Sequence, residues 1–210
     1  GGVSGARSGV CACARVGGGG CGRAGAAAVL VEDKLTPRAL TSSGKPTISR
    51  GEARMKIRAA VEAAKESGVL VLARTDCRPT LGIDEAVARI EMYREEGADI
   101  LFLDSPANRE EMLRASAAAA GKPSFIVLVP GSERLPTRGE AEQLGFKIGT
   151  YPQATLNAVI GAVSQGLDAV EKEDAAAAPS SIAPREMIRI LGYEDYEARA
   201  SRFVAGDTNA

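Results

Sequence analysis

Short, unbroken apolar runs alternate with longer amphipathic stretches along most of this chain. Ala26-Ala27-Ala28-Val29-Leu30-Val31 ends at Glu32-Asp33-Lys34, Val69-Leu70-Val71-Leu72-Ala73 closes on Arg74-Thr75-Asp76, and Ile100-Leu101-Phe102-Leu103 ends at Asp104. Two further runs, 125–129 and 146–150, make a set of five. Between them the period changes to that of a helix. Ser49-Arg50-Gly51-Glu52 fits a capping box opening a helix that carries Met55, Ile57, Val61 and Ala64 and stops at Gly68. Residues 84–96 form a second helix with Val87, Ile90 and Tyr93 inward, and further helices begin at Asn108 and Thr137. A longer one, 152–171, spaces Leu156, Val159, Ile160, Val163 and Leu167 on one face. Strands that read as continuous apolar runs are buried on both faces, which is the signature of a parallel sheet covered by helices. The pattern predicts an α/β fold, a TIM-type (β/α)8 barrel left incomplete at about five parallel strands with outer helices.

The ends of the chain depart from this rhythm. Residues 1–24 carry Gly17-Gly18-Gly19-Gly20 and no apolar period, and are expected to be a disordered Gly-rich extension. A phosphate-cradling loop there would need a strand before it and a Gly-Lys-Ser/Thr or helix start after it, and neither is present. Residues 25–174 make the partial barrel. Residues 175–210 open with the linker-like Ala175-Ala176-Ala177-Ala178-Pro179-Ser180-Ser181 and continue as two short helices, about 184–191 and 194–203.

Composition narrows the chemistry. The 210 residues contain 26 Lys+Arg and 27 Asp+Glu, a net charge of -1, which offers no basic excess for nucleic acid. Histidine is absent, so Ser-His-Asp and Cys-His nucleophile systems and all His-ligated metals are excluded. Acid–base work falls to Asp, Glu, Lys, Tyr, Cys or water. Cys11, Cys13 and Cys21 are close in sequence, but a zinc site would need Cys77 as fourth ligand from far along the chain; free thiols in a reducing compartment are expected. The apolar runs reach about six residues, far short of the ~20 of a membrane span. No apolar signal segment follows the N-terminus, so the expected location is the cytoplasm or an organelle stroma, not a secreted or membrane one.

Ligands of parallel α/β folds lie beyond the C-terminal strand ends. Glu32, Asp33, Arg74, Asp76, Asp104, Pro130-Gly131 and Tyr151 occupy that rim. Glu32, Arg74, Asp76 and Asp104 are expected to converge on one mouth. Carboxylates without histidine suit a hard cation such as Mg²⁺, and arginine offers a planar fork to a substrate carboxylate. The opposite reading, in which Arg74 only ties strand ends together by pairing with Asp76 or Glu32, is equally consistent with the pattern.

The succession Val31-Glu32-Asp33-Lys34-Leu35, Lys56-Ile57-Arg58-Ala59-Ala60, Ala73-Arg74-Thr75-Asp76 and Gly97-Ala98-Asp99-Ile100-Leu101-Phe102 resembles the isocitrate lyase / phosphoenolpyruvate mutase superfamily. The likeness continues through Leu144-Gly145-Phe146-Lys147-Ile148, Tyr151-Pro152, Leu191-Gly192-Tyr193 and Tyr196-Glu197, and is nearest to the phosphonomutase and oxaloacetate-decarboxylase-like members. It implies Mg²⁺-dependent (or Mn²⁺-dependent) cleavage or rearrangement of a C–C or P–C bond in a small α-keto acid such as oxaloacetate, phosphonopyruvate or a methylisocitrate-like substrate. By resemblance Glu32 and Arg74 are the catalytic pair: Glu32 belongs to the metal site, through water, and Arg74 holds the substrate carboxylate. Arg74, Asp76 and Asp104 make the substrate set, and the loop 35–48 would close over the ligand. The resemblance also implies a homo-oligomer, a dimer or tetramer that exchanges a C-terminal helix.

The departures are specific. The family's aspartate-rich metal motif lies upstream of the Glu-Asp pair, and no Asp or Glu precedes Glu32 here. Pro37-Arg38-Ala39-Leu40-Thr41 stands where lyase members carry a Lys-Arg-Cys-Gly-type loop, and Val127-Leu128-Val129-Pro130-Gly131 replaces an Asn-x-Val-Glu-Gly-type run. This chain is therefore expected to have little or no turnover. The alternatives are a non-catalytic truncated remnant acting only in assembly, and an unrelated barrel aldolase. The latter would want a strand-end Schiff-base lysine or a Gly-rich phosphate loop.

Overall fold

A computed structural model describes residues 20–36, 46–174 and 182–203. Most of the Gly-rich extension, the tip of the loop after the first strand, and the Ala-Pro-Ser segment lie outside the described residues. Residues 20–23 form a single helical turn.

Five strands pair in parallel and in sequential order: β1 (Ala28–Glu32), β2 (Leu70–Thr75), β3 (Ile100–Leu103), β4 (Ser124–Val127) and β5 (Ile148–Thr150). The helices between them are α1 (Arg50–Ser67), α2 (Arg78–Glu95), α3 (Arg109–Ala118) and α4 (Arg138–Gln143). This is the expected half-barrel. Two boundaries moved. β2 runs on through Thr75, so Arg74 is a strand residue, and α2 starts six residues early, at Arg78, bending at Gly82. Pro79 in its first turn needs no intrahelical donor, which lets the helix begin there.

Successive strand side chains point to opposite faces of a sheet, and here the two faces form separate cores. Leu72, Ile100 and Phe102, with Phe125, Val127 and Ile148 packed on them, form the concave face. Val31, Val71, Ala73, Leu101 and Leu103 face the helices. The buried helix faces mix small and large side chains: Ala53, Ala60, Ala63 and Ala64 beside Ile57 on α1, Ala86 beside Ile90, Met92 and Tyr93 on α2, and Ala115 and Ala118 beside Met112 on α3.

Caps follow the sequence signals. Ser49 and Asn108 accept from the amides of Glu52 and Glu111, and Thr137 and Glu140 close a full capping box. At Ser49 only the side-chain half of the expected box is made. Gly68 ends α1 with φ 70° and donates to the Ala64 carbonyl, a left-handed conformation that a β-carbon would disfavour.

The chain divides into two units, residues 1–154 and 155–210. The second contains most of α5 (Ala154–Glu171), then α6 (Pro184–Ile190), α7 (Tyr193–Ala200) and a 3₁₀ turn over Ser201–Phe203. On α5, Leu156, Val159, Ile160, Val163, Leu167 and Val170 form an exposed apolar stripe. Among the described residues no helix is long and apolar enough to cross a membrane.

Paired carboxylates brace the sheet's outer layer. Arg50 pairs with Glu85, and Arg58 grips Glu96 through two bonds of 2.7 and 3.0 Å. Arg78 holds Glu111 at 2.7 and 2.8 Å. The arginine partners hold Glu85 and Glu96 below the usual carboxylate range; for Glu111 burial pushes upward, and Arg78 with the Ala107 amide outweighs it. Each group binds a proton more readily unfolded, at the ordinary 4.5, than folded. Their stabilisation is thus complete above that value and is lost as pH falls through the lowered folded values. The urea midpoint should stay level down to about pH 5 and fall steeply towards about pH 3. Arg78→Met, followed by the same titration, should flatten that fall.

Candidate active site

The sheet register sets out the mouth row by row. Glu32 is the partner of Arg74 across β1–β2, Arg74 of Phe102 across β2–β3, Phe102 of Phe125, and Phe125 of Ile148. One row therefore carries a carboxylate, a guanidinium and then an apolar floor, all on the concave face. The Phe102 and Phe125 rings pack at 4.8 Å, and the Arg74 guanidinium lies over the Phe102 ring at 5.0 Å. A cation on an aromatic face gains from the ring's negative surface, more so when partly desolvated.

Arg74 is surrounded by acids. Its Nε and Nη2 donate to the two oxygens of Asp76, both at 2.7 Å, a fork that fixes the guanidinium plane. Nη2 also lies 3.1 Å from Asp104 Oδ1, and Nε 3.6 Å from Glu32 Oε2. Burial pulls against the Arg74 charge, but Asp76, Asp104 and Glu32 outweigh it, and its proton is held above the ordinary value. All four rim residues singled out from the sequence are brought together. Both readings of Arg74 describe this geometry: it ties the strand ends and presents a fixed cation at the mouth.

Two neighbours were missing from the sequence reading of the site, and a third residue was misplaced. Lys34 Nζ lies 3.5 Å from Asp76 Oδ1 and adds a second cation. Lys56 Nζ donates to the Glu32 carbonyl at 2.8 Å, fixing the end of β1. Asp33, counted on the rim, is turned away from it. It follows Glu32 by one residue, so strand alternation sends it to the helix side, where it is buried with Arg89 and Tyr93. The signal was available in the period-2 rule and in Arg89 and Tyr93 lying four apart on one helix face.

The remaining rim positions separate. Pro130, Gly131 and Tyr151 line a depression of about 230 Å³ with Leu128 and Arg138. The loop 35–48, expected to close over the ligand, is described only at its stem, where Lys34 and Thr47 form an antiparallel bridge and Ile48 donates to the Asp33 carbonyl at 2.9 Å. Cys77 is buried, and that burial pushes its thiol upward, so it stays protonated and is no nucleophile at neutral pH. Cys21 is exposed; both are free thiols.

A metal fits this donor set poorly. Among the described residues no group of three or more His, Cys, Asp or Glu side chains is placed to hold an ion. Glu32 and Asp104, the carboxylates nearest the mouth's open side, already answer the charge of Arg74.

Comparison with known proteins adds a family. A profile described as phosphoenolpyruvate phosphomutase matches residues 20–171. The chain is 35% identical over 156 residues to a 2,3-dimethylmalate lyase of Eubacterium barkeri, covering 74% of this chain and 54% of that protein. It is similar to a structure of oxaloacetate acetylhydrolase in complex with the inhibitor 3,3-difluorooxalacetate (TM-score 0.80, 29% identity, 91% of this chain and 66% of the other). It is similar also to phosphonopyruvate hydrolase complexed with oxalate and Mg²⁺ (TM-score 0.74, 28% identity, 93% and 69% covered). The chain thus spans about half the length of the dimethylmalate lyase it matches.

Replacing Arg74 by Met should leave Glu32, Asp76 and Asp104 without their common cation. Because Lys34 still touches Asp76, the expected loss at neutral pH is about 2 kcal/mol, below the usual penalty for orphaning a fully buried charge. Urea unfolding of the variant beside the unmodified chain at neutral pH measures that loss.

Proposed function

The chain belongs to the phosphoenolpyruvate phosphomutase family, and on that premise we propose that the mouth formed by Glu32, Arg74, Asp76 and Asp104 binds a small α-keto acid. The chemistry would be cleavage or rearrangement of the C–C or P–C bond beside its carbonyl, on a substrate of the oxaloacetate, phosphonopyruvate or methylisocitrate type. The observation that carries this is the Arg74 guanidinium, locked in plane by Asp76 over the Phe102 ring at the C-terminal end of the sheet.

In this reading the chain's own residues do the following. Arg74 receives the substrate carboxylate on the guanidinium edge that Asp76 leaves open. Asp104 yields its contact with Nη2 or accepts a substrate hydroxyl. Lys34 adds positive charge beside the oxygen that becomes enolate-like as the bond breaks. Phe102 and Phe125 keep water from the floor, which strengthens those charge contacts.

Members of this family that cleave such bonds are represented by a Mg²⁺ complex, and Mg²⁺ or Mn²⁺ is the ion this site would call for, with Glu32 as its contact through water. The described residues do not fit that ion unaided: Glu32, Asp76 and Asp104 gather on the Arg74 guanidinium, and no group of three acids is placed to hold a cation, which a single carboxylate contact through water would fix poorly. We therefore propose that this 210-residue chain has little or no turnover of its own and retains the anion-binding half of the site. Its expected compartment is the cytoplasm or an organelle stroma.

A second reading, assembly, is favoured by the second unit. The stripe on α5, together with exposed Met187, Ile188, Ile190, Leu191, Tyr193, Tyr196 and Phe203, offers more apolar surface than lone solvated helices carry. We propose that these helices exchange with a second copy, giving a dimer or tetramer.

Two measurements test these readings. Calorimetry with oxalate should give binding to the intact chain that weakens at least about tenfold in Arg74→Ala, roughly the 1.4 kcal/mol of one charged hydrogen bond. With oxaloacetate and Mg²⁺, pyruvate release should match the metal-only control. Release above that control and abolished by Arg74→Ala would overturn the inactivity. Light scattering of the full chain at micromolar concentration should give a dimer or larger; a monomer would sink the exchange.

A further inference from the structure

Asp33 makes an unusual set of contacts for a residue outside the mouth. Its side chain is 1% exposed. Oδ1 accepts from the Asp76 backbone amide at 2.8 Å. Oδ2 accepts from Thr75 Oγ1 at 2.7 Å, Arg89 Nη1 at 2.9 Å and Tyr93 Oη at 3.0 Å. A buried carboxylate is costly unless every lone pair is used and its charge is matched. Here four donors meet the carboxylate, one on Oδ1 and three on Oδ2, and its charge is matched. Arg89 carries the matching charge, and its Nε passes to Glu85 at 2.8 Å, which Arg50 in turn pairs at the surface. Burial works against the Arg89 charge, yet Glu85 and Asp33 outweigh it and the guanidinium stays protonated.

The position of the Asp76 amide gives this cluster its meaning. β2 ends at Thr75, and the Asp104 amide takes the Thr75 carbonyl at 3.0 Å from the β3 side. Asp76 is the first residue beyond the ladder, where a strand's end is ordinarily free to splay. Asp33 reaches across from β1 and captures that amide, extending the β1–β2 pairing by one side-chain bond. With its backbone held, Asp76 returns its carboxylate to the concave side and locks Arg74 at 2.7 Å through both oxygens. The line runs from Asp33 on the helix side, through one peptide unit, to the plane of the guanidinium at the mouth.

We propose that Asp33 is a positioning residue that sets the orientation of Arg74 through Asp76 and so tunes anion affinity at the mouth; this rests on the reading of Arg74 as the carboxylate anchor. Tyr93 and Arg89 only hold Asp33 from behind. The effect on Arg74 is carried by the Oδ1 bond.

The test uses the full chain. Asp33→Asn keeps the volume but sets an amide among donors. The ¹⁵N–¹H signal of Arg74 Nε–H, which reports its bond to Asp76, should shift or broaden in Asp33→Asn and stay in place in Tyr93→Phe. Oxalate affinity should fall about tenfold in Asp33→Asn. In an Arg74→Ala background the same change should produce no further loss, because its route to the ligand is gone. A merely structural Asp33 predicts additive losses and an unmoved Arg74 signal, and either result from a folded protein overturns the proposal. Should Asp33→Asn fail to fold, Thr75→Val takes its place under the same outcomes. It removes one bond that orients Asp33 and keeps the Arg89 pair. If the unmodified chain binds no oxalate, the reading of the mouth falls, and the Arg74 signal alone decides for or against Asp33.

Discussion

A guanidinium cannot rest on an apolar floor unless its charge is answered on every side, and the mouth of this sheet is organised around that demand. Arg74 is placed over Phe102 by the parallel register, which leaves it no choice of face. Three carboxylates then arrive from three strand ends: Glu32 from β1, Asp76 from β2 and Asp104 from β3. Each is present because parallel strands deliver their C-terminal residues to the same side. The outcome is a cation that is neutralised yet pre-oriented. If a ligand carboxylate binds here as proposed, it would have little reorganisation to drive.

The same parallel arrangement divides labour between neighbouring residues. Glu32 and Asp33 are adjacent acids, but the pleat sends one to the mouth and the other into the helix layer, where Thr75, Arg89 and Tyr93 consume it. The mouth therefore has a rigid back as well as a charged front. That back is tied through Glu85 and Arg50 to the outer surface of α1, so rim geometry, helix packing and surface charge form one connected set of contacts.

Much of this was legible in the chain. Five apolar runs were enough for a sheet of five parallel strands, because a run buried on both faces has few other homes. The convergence of Glu32, Arg74, Asp76 and Asp104 followed from strand direction alone. What escaped is equally physical. The end of β2 was placed at Ala73, since Arg74 and Thr75 interrupt the hydrophobic run; a charged residue can continue a strand when its acids wait across the sheet. The start of α2 was placed at Asp84, whereas the helix begins at Arg78 and bends at Gly82. Arg89 was not singled out at all: its burial depends on meeting Asp33, 56 positions away. The period-2 rule turns Asp33 from the mouth, but no local rule names a partner at that distance.

The alanine lining of α1, α2 and α3 has a consequence for how the chain can vary. Cores filled by large aliphatic side chains are injured by truncation. This one sets Ala53, Ala60, Ala63, Ala86, Ala115 and Ala118 among a few large residues such as Ile57, Ile90 and Met112, so at the alanine positions there is little to truncate and enlargement is resisted. Drift at those six positions is confined to residues of similar size. Diversification is pushed to the strand ends and the loops that follow them, where new side chains meet a ligand before they meet the core.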